Sequence, residues 1–172
     1  MALRDEIVYR TLNLLSRRYD RVQNTHTRYT MTELECICKM AILELGGWIE
    51  CTLDEILKDY VRRKISDSAE ATKVDKEIDR VFGFSYERNF NPLVERIIGV
   101  ENYYKIKCVL RSKGEWDPFV SELDAFWHVR GGAAHTNFNG TARSFDAPTA
   151  TISRLQKLYP VVNEIRRIIS KM

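Results

Sequence analysis

Arg130 and His135 stand five positions apart in the run "FWHVRGGAAHTNF" (residues 126–138), with Gly131 and Gly132 between them. The guanidinium is a permanent cation whose planar fork matches phosphate oxygens. The imidazole, with an ordinary pKa of about 6.5, takes or gives a proton near neutral pH. Together they suit a site for an anionic ligand such as a phosphate, with a proton donor or acceptor near it. Two copies of such a site can also meet across a symmetric dimer.

The element that must position these groups is a helix opened by Asp117 as N-cap and Pro118 at its first position. Turned by roughly 100° per residue, it places Val120, Leu123, Phe126, Trp127 and Ala134 on one side. Arg130 falls near the middle of that side. Asp117, Ser121, Asp124 and His128 fall on the other. A guanidinium on an apolar face requires a carboxylate, a wet cleft or a phosphate, and Glu50 on the second helix is the candidate carboxylate. On an ideal helix Arg130 and His135 point roughly 140° apart. The glycine pair loosens the backbone between them, and the length of the arginine, or a second copy of the chain, supplies the remaining reach. His128, seven residues before His135, projects to nearly the same side. It is either an accessory group or a surface histidine beside Asp124. His26, in a polar turn, takes no role.

The rest of the chain reads as helix, because proline (four) and glycine (eight) are scarce and strand-like alternation is nearly absent. Residues 3 to about 22 carry a helical stripe through Ile7, Val8, Leu12 and Leu15. A second segment, opened by a Thr32/Glu35 capping box, runs on to the basic triplet Arg62-Arg63-Lys64. Gly46-Gly47 in its middle predicts a kink or close helix packing. A charged helix is expected over residues 69–82 and irregular chain over 83–91. Pro92 opens a short helix to about residue 98, and "YYKIKCVLRSKGEW" is ambiguous between helix and strand. A polar loop over residues 136–149 precedes a final amphipathic helix capped by Asp146 or Thr149. These elements predict an all-α fold, a single-domain antiparallel helical bundle over residues 1–172.

Composition narrows the class. The 172 residues suffice for one domain with its own core. No apolar run approaches the ~20 residues that cross a bilayer, and the opening residues lack a signal-like apolar core, so a cytoplasmic protein with no membrane association is expected. The net charge of +3 permits a polyanionic partner without requiring one. The four cysteines, at 36, 38, 51 and 108, form no CxxC pair. They are expected as buried free thiols, with neither a metal nor a cofactor bound.

The segment from Arg130 to His135 resembles the Arg-x4-6-His motif of the HEPN superfamily, small α-helical domains of which many are metal-independent ribonucleases. The second helix, "MAILELGGWIECTLDEILKDYV", is similar to the helix with an embedded acidic residue in the RiboL-PSP-type branch of that superfamily. "ELDAFWHVRGGAAH" resembles that branch's helix leading into the motif. The resemblance implies an up-and-down helical core with extra short helices, and an endoribonuclease that leaves a 2′,3′-cyclic phosphate. It further implies Arg130 and His135 as catalytic residues, paired motifs in a homodimer, RNA as substrate, and an antitoxin or another defence-system protein as partner in a toxin–antitoxin or antiviral setting. Many HEPN nucleases carry a polar residue, often asparagine, directly after the arginine, where this chain has Gly131. That difference favours the alternative of a non-catalytic HEPN-like module binding a nucleotide or a protein. A third reading is a purely structural helical domain with Arg130 ion-paired in its core.

Two basic clusters are candidates for tracking an RNA backbone: Arg62, Arg63 and Lys64, and Lys105, Lys107, Arg111 and Lys113, with Tyr103 and Tyr104 as stacking faces. Solvated surface is the competing reading for both.

Overall fold

The computed structural model describes residues 3–25, 29–135 and 144–172. Among them are seven α-helices, one π-helical turn and no strand: α1 (Leu3–Gln23), α2 (Thr30–Lys64), α3 (Ser68–Asp79), the π turn (Tyr86–Phe90), α4 (Asn91–Ile98), α5 (Val100–Ser112), α6 (Trp116–His135) and α7 (Pro148–Ser170). The class is the all-α helical bundle that the periodicity predicts. His26 and most of the expected polar loop, residues 136–143, lie outside the described residues.

The chain divides into two compact units, Met1–Trp48 with His128–Gln156, and Ile49–Trp127 with Lys157–Met172. In the first, α1 and the opening of α2 run antiparallel. Trp48 Nε1 donates to the Asp5 carboxylate at 3.1 Å, and Arg18 Nε donates to Glu33 at 3.1 Å near the other end. Val8, Leu12 and Leu15 of α1 are buried, as are Ile37, Ala41, Ile42 and Leu45 of α2, at the three- and four-residue steps of a helical stripe. Asp5 is fully buried on the same face, which the apolar pattern alone does not announce.

The second unit is built around aromatic rings. Phe84 stacks on Phe126 with centroids 5.7 Å apart and meets the edge of Trp127 at 5.4 Å. Trp116, Tyr103, Phe90 and Phe119 form a second set of tilted and edge-on pairs at 6.0–6.5 Å, spacings at which ring quadrupoles attract. Asp124 on α6 accepts from the backbone N–H of Tyr86 at 2.7 Å and so holds the start of the π turn. The 83–91 segment that reads as irregular in sequence is therefore a defined connection tied to α6.

Several expected boundaries move. α2 begins at Thr30, with the Glu33 N–H donating to the Tyr29 carbonyl at 3.0 Å, so Thr32 lies inside the first turn and is not an N-cap. α2 is helical throughout Gly46-Gly47, and a Cβ on Gly47 would meet no neighbouring atom within 4 Å, so the close packing expected there is absent at Gly47. The third helix spans Ser68–Asp79, capped by Asp67, whose carboxylate accepts from the Ala69 and Glu70 N–H groups. The ambiguous "YYKIKCVLRSKGEW" is the body of α5 followed by a turn at Gly114, where φ is +68°. α6 starts at Trp116, and the Phe119 N–H donates to the Glu115 carbonyl at 3.1 Å. Asp117 therefore sits in the first turn rather than at the N-cap, still well placed to favour the positive helix end. α7 opens on Pro148, making Thr149 helical, and it accommodates Pro160 in its interior.

Candidate functional site

α6 carries an apolar row at alternating three- and four-residue steps: Trp116, Phe119, Leu123 and Phe126 are 0–2% exposed, and Ala133 is 5% exposed. Arg130 occupies the one step between Phe126 and Ala133, and it is half-buried. The arginine thus stands in the buried stripe, as the sequence predicts. The flanking residues need correcting: Ala133 rather than Ala134 completes the row, while Ala134 is exposed and Val120 and Trp127 are half-buried. The one-residue shift follows from the row leaning along the helix, as i, i+3, i+7 rows do.

α6 is helical through Gly131 and Gly132 to His135. The glycines therefore do not turn the chain, and Arg130 and His135 keep the roughly 140° separation of a regular helix. His135 is exposed in the last turn and His128 is exposed two turns earlier. Within one chain, then, the two motif residues are directed to different sides of α6, with His128 and His135 on a shared stripe. Asp124, expected beside His128 at the surface, is instead engaged with the Tyr86 backbone.

His128, Val129 and Gly132 form one wall of an open cleft of about 410 Å³ whose other wall is Ser144, Phe145 and Asp146. Lys39 of α2, only 7% exposed, holds its ammonium 5.5 Å from the Phe145 ring centroid and 3.7 Å from Glu35. Burial, with the nearby Asp146 charge second, pushes the neighbouring Cys38 thiol up to about 11, so this cysteine remains a protonated, unreactive thiol at neutral pH. Lys39, His128 and Phe145 lie far apart along the chain, so this cleft leaves no local signal in the sequence.

Glu50, the candidate partner of Arg130, is half-buried on α2 in the second unit. Its charge, after burial and Asp79, helps raise the Asp54 carboxyl to about 6, against the opposing pull of Lys58. The cysteines fit the expected buried thiols only in part: Cys38 is buried and Cys36 half-buried, but Cys51 and Cys108 are exposed.

The first basic cluster is engaged with the protein itself. Arg63 donates from Nε to the Asp59 carbonyl at 3.2 Å, from Nη1 to the Ser170 carbonyl at 2.7 Å and from Nη2 to the Ile169 carbonyl at 2.9 Å. It thereby engages carbonyls at the C-terminal end of α7, where Ile169 also accepts from the Met172 N–H at 3.2 Å. Arg62 lies 3.3 Å from Asp75 and 3.5 Å from Asp59, and Lys64 stands 5.9 Å from the Tyr60 ring centroid. Arg62 and Arg63 line a cleft of about 350 Å³ with Arg166 of α7, a third arginine that sequence distance concealed.

In the second cluster, Lys105 pairs with Glu101 at 2.7 Å, Lys113 with Glu164 at 2.6 Å, and Lys107 lies 4.2 Å from the Tyr103 ring centroid. Tyr103 is 1% exposed, so it is a core residue and not a stacking face for a base. Tyr104, 59% exposed, shares the outer face of α5 with Lys105, Cys108 and Arg111.

Among the described residues no helix is long and apolar enough to cross a membrane. Compared with models of known families, with curated proteins and with solved structures, the chain matches none.

Proposed function

We propose that the chain is a metal-independent endoribonuclease acting as a homodimer. Arg130 holds the scissile phosphate and offsets charge as it develops on the equatorial oxygens. His135 of one copy takes the proton of the 2′-hydroxyl as its oxygen attacks phosphorus. His135 of the second copy gives a proton to the 5′-oxygen as the P–O5′ bond breaks. The products are a 2′,3′-cyclic phosphate and a free 5′-hydroxyl, with no net change in oxidation state. A cytoplasmic setting in a toxin–antitoxin or antiviral system, with a partner protein restraining the nuclease, belongs to the same reading.

The observation that carries it is the placing of Arg130. A permanent charge takes the only polar step of an otherwise buried row, is half-accessible there, and precedes an exposed imidazole by five residues on the same helix. The divergence of the two side chains favours two copies over one. It also favours, together with Gly131, the second reading of a non-catalytic module in which Arg130 clamps a nucleotide or protein phosphate.

Incubating the protein with RNA in excess EDTA separates the two. Cleavage to cyclic-phosphate ends is expected, falling by about 10²–10⁴-fold in His135→Ala, the range for loss of a general acid–base group. It is also expected to be lost in Arg130→Ala. A wild-type rate in His135→Ala, or cleavage abolished by EDTA, would falsify the mechanism.

A further inference from the structure

Among the described residues, the cleft between α6 and the chain entering α7 brings together an aromatic ring, a carboxylate, an imidazole and a helical glycine. Gly132 lines this wall of the cleft and adds no side chain of its own to it. Phe145 supplies a ring for stacking and is anchored by the buried Lys39 ammonium 5.5 Å away. Asp146 and His128 supply polar atoms, and Ser144 a hydroxyl, at the rim. At about 410 Å³ the cleft is within the size range of small-ligand pockets, ~300–1,000 Å³.

The polar groups select among flat ligands. A carboxylate only accepts hydrogen bonds. Of the four RNA bases, guanine alone offers two adjacent N–H donors, N1–H and the exocyclic amine, along one edge. Cytosine and adenine set an acceptor nitrogen beside their amine, and uracil flanks its single N–H with two carbonyls. All three would turn a lone pair toward Asp146. The imidazole N–H of His128 can meet the guanine O6 oxygen, where adenine and cytosine carry an amine instead. We infer that the cleft lined by His128, Gly132, Phe145 and Asp146 is a guanine-binding site, with Phe145 stacking on the base and Asp146 reading its N–H edge. His135 lies on the same stripe of α6 as His128, seven residues on, so the cleavage reading requires the guanosine's 3′-phosphate to point toward that end of the helix. That link to cleavage rests on the nuclease reading; the binding of guanine does not.

The test is calorimetric titration of the intact protein with guanosine, adenosine, cytidine and uridine 3′-monophosphates. The guanosine nucleotide is expected to bind at least tenfold more tightly than the others. Phe145→Ala should weaken it at least tenfold, and Gly132→Leu, which fills the cleft with a good helix former, should abolish it. Asp146→Asn, a surface change that keeps the side chain's size, should erase the preference. Equal binding of all four nucleotides, or a guanine preference surviving Asp146→Asn, overturns the proposal. Oligouridylates with a single internal guanosine distinguish the two sources of the base. Cutting confined to the 3′ side of that guanosine marks RNA as the ligand, whereas guanine binding with cuts placed elsewhere marks a free nucleotide. Guanine binding without any RNA cleavage removes the nuclease and leaves the site; cleavage without guanine preference removes the site and leaves the nuclease.

Discussion

Gly83→Ala tests how tightly the second unit is fitted around α6. Gly83 has φ of +99°, a region that a residue with a Cβ rarely adopts, and a Cβ there would fall against the Trp127 ring, 2.5 Å from Cζ3. Trp127 has little freedom to withdraw, since its ring sits edge-on against Phe84 at 5.4 Å and Phe84 is itself 1% exposed. The backbone strain costs about 1–2 kcal/mol and the overpacking about 1–3 kcal/mol, so a loss of roughly 3 kcal/mol is expected. For a chain of this size that lowers Tm by about 6–12 °C. Urea denaturation followed by far-ultraviolet circular dichroism measures the loss without relying on Trp127 fluorescence. The cycle with Trp127→Leu separates the two contributions. Against the smaller leucine only the φ strain remains, so Gly83→Ala should cost at least about 1 kcal/mol less in that background. A loss below about 0.5 kcal/mol in the wild-type background, within the usual scatter of neutral changes, would refute the reasoning. So would an equal loss in both backgrounds.

Glu164 accepts from Arg167 at 2.6 Å through both Nε and Nη2 and from Lys113 at 2.6 Å, and these partners hold its carboxyl down to about 2. A depressed folded-state value means the contribution is complete above the ordinary 4.5 and is lost as pH falls toward 2; Glu164→Gln should flatten that limb of the stability–pH curve, and an unchanged acid limb would refute the assignment. Asp54 has the opposite sign, because burial first and Asp79 and Glu50 next raise it from 3.8 to about 6. Its contribution is complete below 3.8 and is lost as pH rises through 6, so Asp54→Asn should gain on the wild type across that window. The gain is about 1 kcal/mol after discounting for the part of the group that water still screens, and identical curves between pH 4 and 7 would count against it. Trp48→Phe removes the indole donor to the fully buried Asp5 carboxylate; a loss of about 1–3 kcal/mol is expected, and a stability equal to wild type would show that Asp5 does not depend on that bond.

Much of the helix plan was legible in sequence because helical periodicity is local. Residues three and four apart share a face whatever the chain does elsewhere, and this is why α1, α4, α6 and α7 begin and end within a few residues of expectation. Helix starts are less legible. Thr32 and Asp117 are good caps by residue type, but the Tyr29 and Glu115 carbonyls accept the first helical hydrogen bonds, so each helix opens before its expected cap. Tyr103 illustrates the same limit on function. Next to Tyr104 in the sequence it is an equal candidate for stacking, yet one helical step of 100° puts it in the core at 1% exposure and its neighbour in solvent at 59%.

What the sequence determined by itself is therefore the all-helical class and the anomaly on α6, a guanidinium in the apolar row and an imidazole five residues on. Both follow from residue type and an angle of rotation. The tertiary structure alone decided which cations are spoken for and where side chains meet. Arg63 is committed to the carbonyls of Ile169 and Ser170, Lys39 is buried against Phe145, and Asp146 comes to the same cleft as His128. Those pairings join residues up to 107 positions apart. They arise from how whole helices bury their faces, an energy summed over many contacts, and no window of neighbouring residues contains it.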